Sequence, residues 1–212
     1  MMAGKTRKQF TVLCLLLLSI FFSSCSFVIE KMMGIRSAHP LTEKEHRRFL
    51  KKLGAASDLT YYADSSYLST LNKLYPDSSQ HHQMKNHYQP IQVLYFGHSS
   101  LPSFSMINCY AGGFPKLNWN EDGRFDTFPP INGSPVDTIF TLERLLKNIK
   151  PYNGSNGLMS GQDEPYTVVL YWCRWNFRES KRLHRLVKEN LAKTNEPWRI
   201  LYVNTDRYIA GE

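Results

Sequence analysis

Thr167 to Cys173 (TVVLYWC) is the most apolar run beyond the first 30 residues. It is too short for a buried helix and long enough for a strand buried on both faces. A helical pattern follows at once over 177–194, with Leu183, Leu186, Val187 and Leu191 on one face, and Pro197 ends it. Trp198 to Val203 (WRILYV) is a second apolar run. A strand, a helix and a strand at this spacing form a βαβ unit, which is right-handed and parallel in almost every case. The fold class that follows is α/β.

The rest of the chain must cover that unit. Thr42-Glu43-Lys44-Glu45 fits a capping box ahead of a helix that ends at Gly54, with Lys51 and Lys52 in its last turn. Its few apolar residues (Phe49, Leu50, Leu53) suggest a surface helix within an N-terminal extension, 42–63. Tyr67, Leu68, Leu71 and Leu74 share one face of a second helix, 65–74. Residues 89–97 and 103–110 read as a hairpin. Residues 111–135 show neither period and carry Phe114, Trp119, Phe125 and Phe128. Loops of that length are uncommon in compact domains and are often functional, so these four aromatics form the candidate partner surface; packing over the sheet is the alternative. A helix is expected over 137–149, and 152–164 reads as a linker or insertion.

The residues around the βαβ unit resemble the thioredoxin family. Tyr171-Trp172-Cys173-Arg174-Trp175 looks like the end of the strand before that family's redox motif, and Tyr202-Val203-Asn204-Thr205-Asp206 looks like the end of its next strand. Upstream, Pro90, the hairpin and the helix after it resemble the family's cis-proline, closing hairpin and last helix, but here they precede the βαβ unit. The resemblance implies a thioredoxin-like three-layer α/β sandwich, circularly permuted, over 64–212, with Pro90 as the cis-proline candidate. An α/β sandwich of unrelated connectivity, or a thioredoxin-like domain without its usual C-terminal half, is the alternative. The redox motif would fall on Asn176, Phe177, Arg178 and Glu179, none of which is a thiol. Disulfide exchange needs an activated thiolate and a second thiol to resolve the mixed disulfide.

The permuted order also carries a geometric expectation. Strand 167–173 pairs with strand 91–96, and strand 103–110 lies beyond it. Cys109 and Cys173 then sit about two strand spacings, roughly 9.6 Å, apart. A disulfide needs Cα atoms within about 7 Å, so the two are expected to be unbonded.

The first residues give an address. Lys5, Arg7 and Lys8 precede an uncharged stretch, Phe10 to Phe22, and then Ser23, Ser24 and Cys25. This is a signal-peptide pattern over 1–24, and the cysteine after small residues resembles a bacterial lipobox, although Phe22 stands where such motifs prefer Leu. The resemblance implies lipidation of Cys25, a tether over 25–41, and attachment to a lipid bilayer in the bacterial cell envelope. An uncleaved helical anchor or free secretion are the alternatives.

The net charge is +8, and without the three cations of the leader it is about +5. This mild, dispersed excess shows no basic stripe of the kind that marks a nucleic-acid partner. His81, His82 and His87 lie in a polar stretch without rigid ligand spacing, so no metal site is expected. Ser180 and His184 are one helical turn apart, but no acid is placed to orient the histidine. No cofactor motif and no catalytic constellation stand out. The expected function is non-catalytic: an envelope lipoprotein whose degenerate thioredoxin-like domain binds protein partners in the envelope. A lone-thiol oxidoreductase using Cys109 or Cys173, or a structural subunit of an envelope assembly, are the alternatives.

Overall fold

The computed structural model describes residues 35–55, 59–137, 139–152 and 166–212. The leader, Cys25, most of the tether and nearly all of the 152–164 linker lie outside the described residues. Every described element belongs to one compact unit, Ser37–Glu212.

The first described helix, α1 (Glu43–Leu53), begins as its sequence requires: Thr42 Oγ1 accepts the Glu45 N–H at 3.3 Å, and Glu45 Oε2 accepts the Thr42 N–H at 3.0 Å. Gly54 closes it in the left-handed region. It is not a surface helix. It buries His46, Phe49, Leu50 and Leu53, and the Phe49 ring meets Phe177 edge-on at 4.9 Å. A short strand, β1 (Thr60–Tyr62), follows, and Asp64 caps α2 (Ser65–Leu74) by accepting the Ser66 N–H at 2.9 Å. The histidine-rich stretch expected as a connector is a turn plus α3 (His81–His87).

The hairpin is β2 (Gln92–Phe96) and β3 (Pro102–Ile107), followed by the single turn α4 (Asn108–Ala111). The helix expected over 137–149 is shorter, α5 (Leu142–Asn148), because Thr141 caps it and Asp137 spends its carboxylate on the Ile139 and Phe140 N–H groups. Then come β4 (Lys150–Pro151), β5 (Tyr166–Trp172), α6 (Phe177–Leu191), β6 (Trp198–Asn204) and α7 (Asp206–Ile209).

The fold is mixed α/β around one six-stranded mixed sheet in the order β3-β2-β5-β6-β1-β4. The β5 and β6 strands are parallel neighbours, β2 runs antiparallel to both β3 and β5, and β1 lies parallel to β6. Alternate residues of β5 feed two cores, as strand geometry demands. Val168, Leu170 and Trp172 pack with α1 and α6; Val169 and Tyr171 pack with α2, α5 and α7. A strand buried on both faces must be apolar throughout, which explains TVVLYW.

Candidate functional site

The strand directions bring several ends to one edge of the sheet. Gln92, at the start of β2, lies opposite both Tyr171, near the end of β5, and Ile107, at the end of β3. Crevices outside the carboxyl ends of parallel strands are where α/β sheets commonly bind ligands. Here there is a cleft of about 290 Å³, lined among others by Pro90, Ile91, Cys109, Phe114, Trp175 and Asn176.

The floor of the cleft is fixed from behind by the residues after β6. Asp206, fully buried, accepts the N–H of Arg174 at 2.6 Å, that of Trp175 at 3.1 Å and the Asn204 side-chain amide at 2.8 Å. Burial raises its carboxyl above the usual value, against the pull of these donors. Thr205 Oγ1 donates to the Pro90 carbonyl at 2.9 Å and so ties the start of β2 to the same turn. Ser180 Oγ accepts the Cys173 N–H at 3.1 Å and donates back to the Asn176 carbonyl.

The four positions matched to the redox motif do different things. Asn176 lines the cleft, is 5% exposed, and its Oδ1 has no hydrogen-bond partner. Phe177 packs under α1. Arg178 is exposed, and its guanidinium reaches the Pro115 carbonyl at 3.5 Å. Glu179 is fully buried and accepts the Leu117 N–H at 3.3 Å, the Trp119 indole N–H at 3.2 Å and Arg182 at 2.7 Å. It pins the long loop to α6.

Two expectations fail here. Pro90 is not cis: the cis peptide bonds among the described residues are Phe114–Pro115 and Phe128–Pro129. The four loop aromatics do not form one exposed surface either. Phe114 is 63% exposed, but Trp119 and Phe125 are 1% and 2% exposed, and Phe128 packs half-buried against the same core. The alternative reading, packing over the sheet, is what three of the four do. Asn190 holds the loop down by donating to the Phe125 and Thr127 carbonyls at 2.9 and 2.6 Å, and Lys193 adds bonds to the Phe125 and Asp126 carbonyls.

Cys109 and Cys173 are both free, and Cys109 lies on α4 rather than in the strand expected over 103–110, which ends at Ile107. Cys173 is buried, and burial pushes its thiol up to about 12. Cys109 is exposed on the cleft wall and donates to Gln89 Oε1 at 2.9 Å.

A second polar cluster went unread in the sequence. His87 Nε2 lies 2.5 Å from Asp137 Oδ2, and the Tyr75 hydroxyl donates to the same oxygen. Burial opposes ionisation of Asp137, but the bond and charge of His87 and the bond from Tyr75 outweigh it and hold the carboxyl at about 2. All three side chains are buried, which leaves no room for a substrate. No local pattern joins residues 75, 87 and 137. Among the described residues no cluster of three or more His, Cys, Asp or Glu could hold a metal ion.

No protein-family model matches the chain, and no curated protein or solved structure matches it. Among the described residues no helix is long and apolar enough to cross a membrane.

Proposed function

We propose that this chain is a lipid-anchored protein of the bacterial cell envelope whose degenerate, circularly permuted thioredoxin-like domain binds envelope proteins without catalysis. The fold part of the reading draws on the parallel β5-α6-β6 unit with the β2-β3 hairpin added antiparallel beside β5. The hairpin precedes the βαβ unit in the chain, which supports reading the order as permuted. The non-catalytic part draws on Asn176 and Glu179 at the redox positions and on the burial of Cys173. Attachment through acylated Cys25 rests on the leader alone; multiple acyl chains supply stable anchoring, each buried CH₂ contributing about 0.8 kcal/mol.

One observation carries the binding role: the cleft at the ends of β2 and β5 has an aromatic wall that is left exposed. Phe114, 63% exposed, and Trp175 offer apolar area on that wall. A protein segment supplies an apolar side chain that fits such a wall.

Photo-crosslinking in intact cells tests this. A benzophenone amino acid in place of Phe114 is expected to capture a discrete envelope protein, and one in place of Val136, exposed elsewhere, is not. Equal or absent capture at both positions removes the cleft as the binding site. In the same cells Cys25→Ser is expected to leave uncleaved precursor without acyl label. Normal processing of that variant ends the lipoprotein reading.

A further inference from the structure

We propose that the outer face of α1 and α6 lies on the anionic headgroups of the bilayer that carries the protein. This rests on the lipoprotein reading for its anchor and on the fold for its surface.

In the sequence the positive excess looks dispersed; the fold gathers it. The α1 and α6 helices pack on the same face of the sheet, through Phe49, Leu50 and Leu53 on one and Leu183, Val187 and Leu191 on the other. Together they hold ten cations and four acids, a net of +6. The helices α2, α3, α5 and α7 hold five and two, a net of +3. The larger excess forms stripes. Lys44, Arg48, Lys51 and Lys52 stand at i, i+4, i+7 and i+8 of α1, and Lys181, Arg185 and Lys188 at i, i+4 and i+7 of α6. All seven are exposed. The four acids are engaged locally: Glu45 caps α1, Glu43 pairs with Arg47 at 2.6 Å, Glu179 with Arg182 at 2.7 Å and Glu189 with Arg185 at 3.7 Å. The stripes meet at the seam between the helices. Arg48 and Lys52 lie over the Phe49 ring, 5.2 and 5.7 Å from its centroid, and that ring meets Phe177 of α6.

Two observations select a bilayer as the occupant. The surface is two helix backs side by side, about 17 and 23 Å long at 1.5 Å per residue. Cations spread over both match many phosphates in a plane. The chain also enters α1 directly from the tether: Ser37 and His39 bond to Arg174, and Thr42 caps the helix. Ser37 is twelve residues from Cys25. A lipid on Cys25 therefore holds the domain within about 40 Å of the bilayer, at about 3.3 Å per residue. Clusters of about four to eight Lys and Arg beside a membrane anchor are the footprint of anionic-lipid recognition.

The test uses the mature protein purified from cells and two kinds of vesicle, phosphatidylcholine alone and phosphatidylcholine with about one-third phosphatidylglycerol. The acylated protein should float with both, because the anchor needs no charge. Lysines are then acetylated with a water-soluble reagent and the sites mapped by mass spectrometry. On the anionic vesicles Lys44, Lys51 and Lys181 should react roughly fivefold more slowly than on the neutral ones, the equivalent of about 1 kcal/mol. Lys73 and Lys147, exposed on α2 and α5, should keep their rates. Salt at about 1 M, where the screening length is about 3 Å, should restore the difference to zero. Lys51→Glu with Lys181→Glu replaces two exposed side chains that pair with no acid among the described residues. This variant should still float and should lose the slowing at Lys44, Lys52 and Lys188. Equal rates on the two vesicles, slowing shared by Lys73 and Lys147, or slowing that survives the charge reversal overturns the proposal. Slowing in envelope fragments but not on pure lipid would give the face to an acidic protein and also overturns it. The two readings separate cleanly. Acylated protein that floats with both vesicles without slowing keeps its anchor and loses the face. Protein without an acyl group that floats only with anionic vesicles, with the slowing, keeps the face and ends the lipoprotein reading. Protein without an acyl group that floats with neither ends both.

Discussion

Asp206 accepts the main-chain N–H of Arg174, 32 residues earlier, at 2.6 Å. The bond joins the end of β6 to the turn after β5, and it is what gives the cleft a fixed floor. Buried N–H groups must find acceptors, and a turn leading straight from a buried strand into a helix cannot supply them itself. The Arg174 guanidinium turns the other way and bonds the Ser37 carbonyl and, at 2.7 Å, His39 Nδ1. One residue thus holds both the cleft and the end of the segment read as the tether, at Ser37 and His39.

Asp206→Asn is expected to destabilise the domain by about 2 kcal/mol, the typical result of leaving buried donors unsatisfied. Both Asp206 oxygens accept, Oδ2 from Arg174 and Asn204 and Oδ1 from Trp175. An amide keeps one acceptor and turns N–H groups toward the remaining donors. The urea midpoint should fall with an unchanged m-value.

Glu179→Ala is expected to loosen the long loop as well as destabilise the fold. The carboxylate is fully buried and serves Leu117, Trp119 and Arg182 at once. Removing one member of a buried charged pair typically costs about 3–5 kcal/mol. Trypsin should then cut after exposed Lys116 faster than in the parent protein, because the next residue has lost its anchor. A cleavage rate that tracks only global unfolding would mean Glu179 does not hold the loop.

No disulfide reductase turnover is expected in an insulin-reduction assay. Asn176 and Glu179 supply no thiol, and Cys173 is buried. Turnover that survives Cys109→Ser and Cys173→Ser taken singly would contradict the alignment. Turnover lost with either one would install the lone-thiol enzyme in its place.

The sequence was legible where local chemistry decides the outcome. Thr42 and Glu45 meet across one turn, and the unbroken TVVLYW run has no soluble alternative to burial in a sheet. It was misleading where the deciding partner is distant. Trp119 looked like an exposed loop aromatic because its anchor, Glu179, stands 60 residues away. The α3 helix hid because it buries only His87, whose acceptor Asp137 is 50 residues on. Three residues of β1 are too few to show an alternation, and their pairing with β6 is a tertiary matter. The proline isomers were equally illegible: the family resemblance pointed to Pro90, whereas Pro115 and Pro129 carry the cis bonds. At the cleft, Asn176 and Cys109 are 67 positions apart, so nothing local could have joined them.

Stability is expected to fall on mild acidification, and His46 should account for much of the fall. Its ring stacks on Tyr152 with centroids 3.4 Å apart and planes 6° from parallel, and it is 2% exposed with no partner for Nε2. Burial, and then the charge of Arg47, push it from 6.5 down to about 4. Burial and the nearby Lys188 do the same to His184, whose Nε2 lies 3.1 Å from the Tyr202 hydroxyl. Both folded values lie below the unfolded one, so the unfolded chain takes up protons first. The stability these neutral rings contribute is therefore complete above pH 6.5 and is lost as pH falls toward about 4. The loss is on the order of 2–3 kcal/mol for each ring, at 1.36 kcal/mol per unit. Asp137 acts lower: its carboxyl is depressed from 3.8 to about 2, so its contribution is intact above 3.8 and fades only below that. Urea midpoints taken stepwise from pH 7 to pH 4 isolate the histidines. His46→Phe keeps an aromatic ring on Tyr152, sacrifices no hydrogen bond and removes one proton site, so the decline over this range should be roughly halved. A His46→Phe curve parallel to the parent's would show that His46 is not excluded from protonation in the folded state.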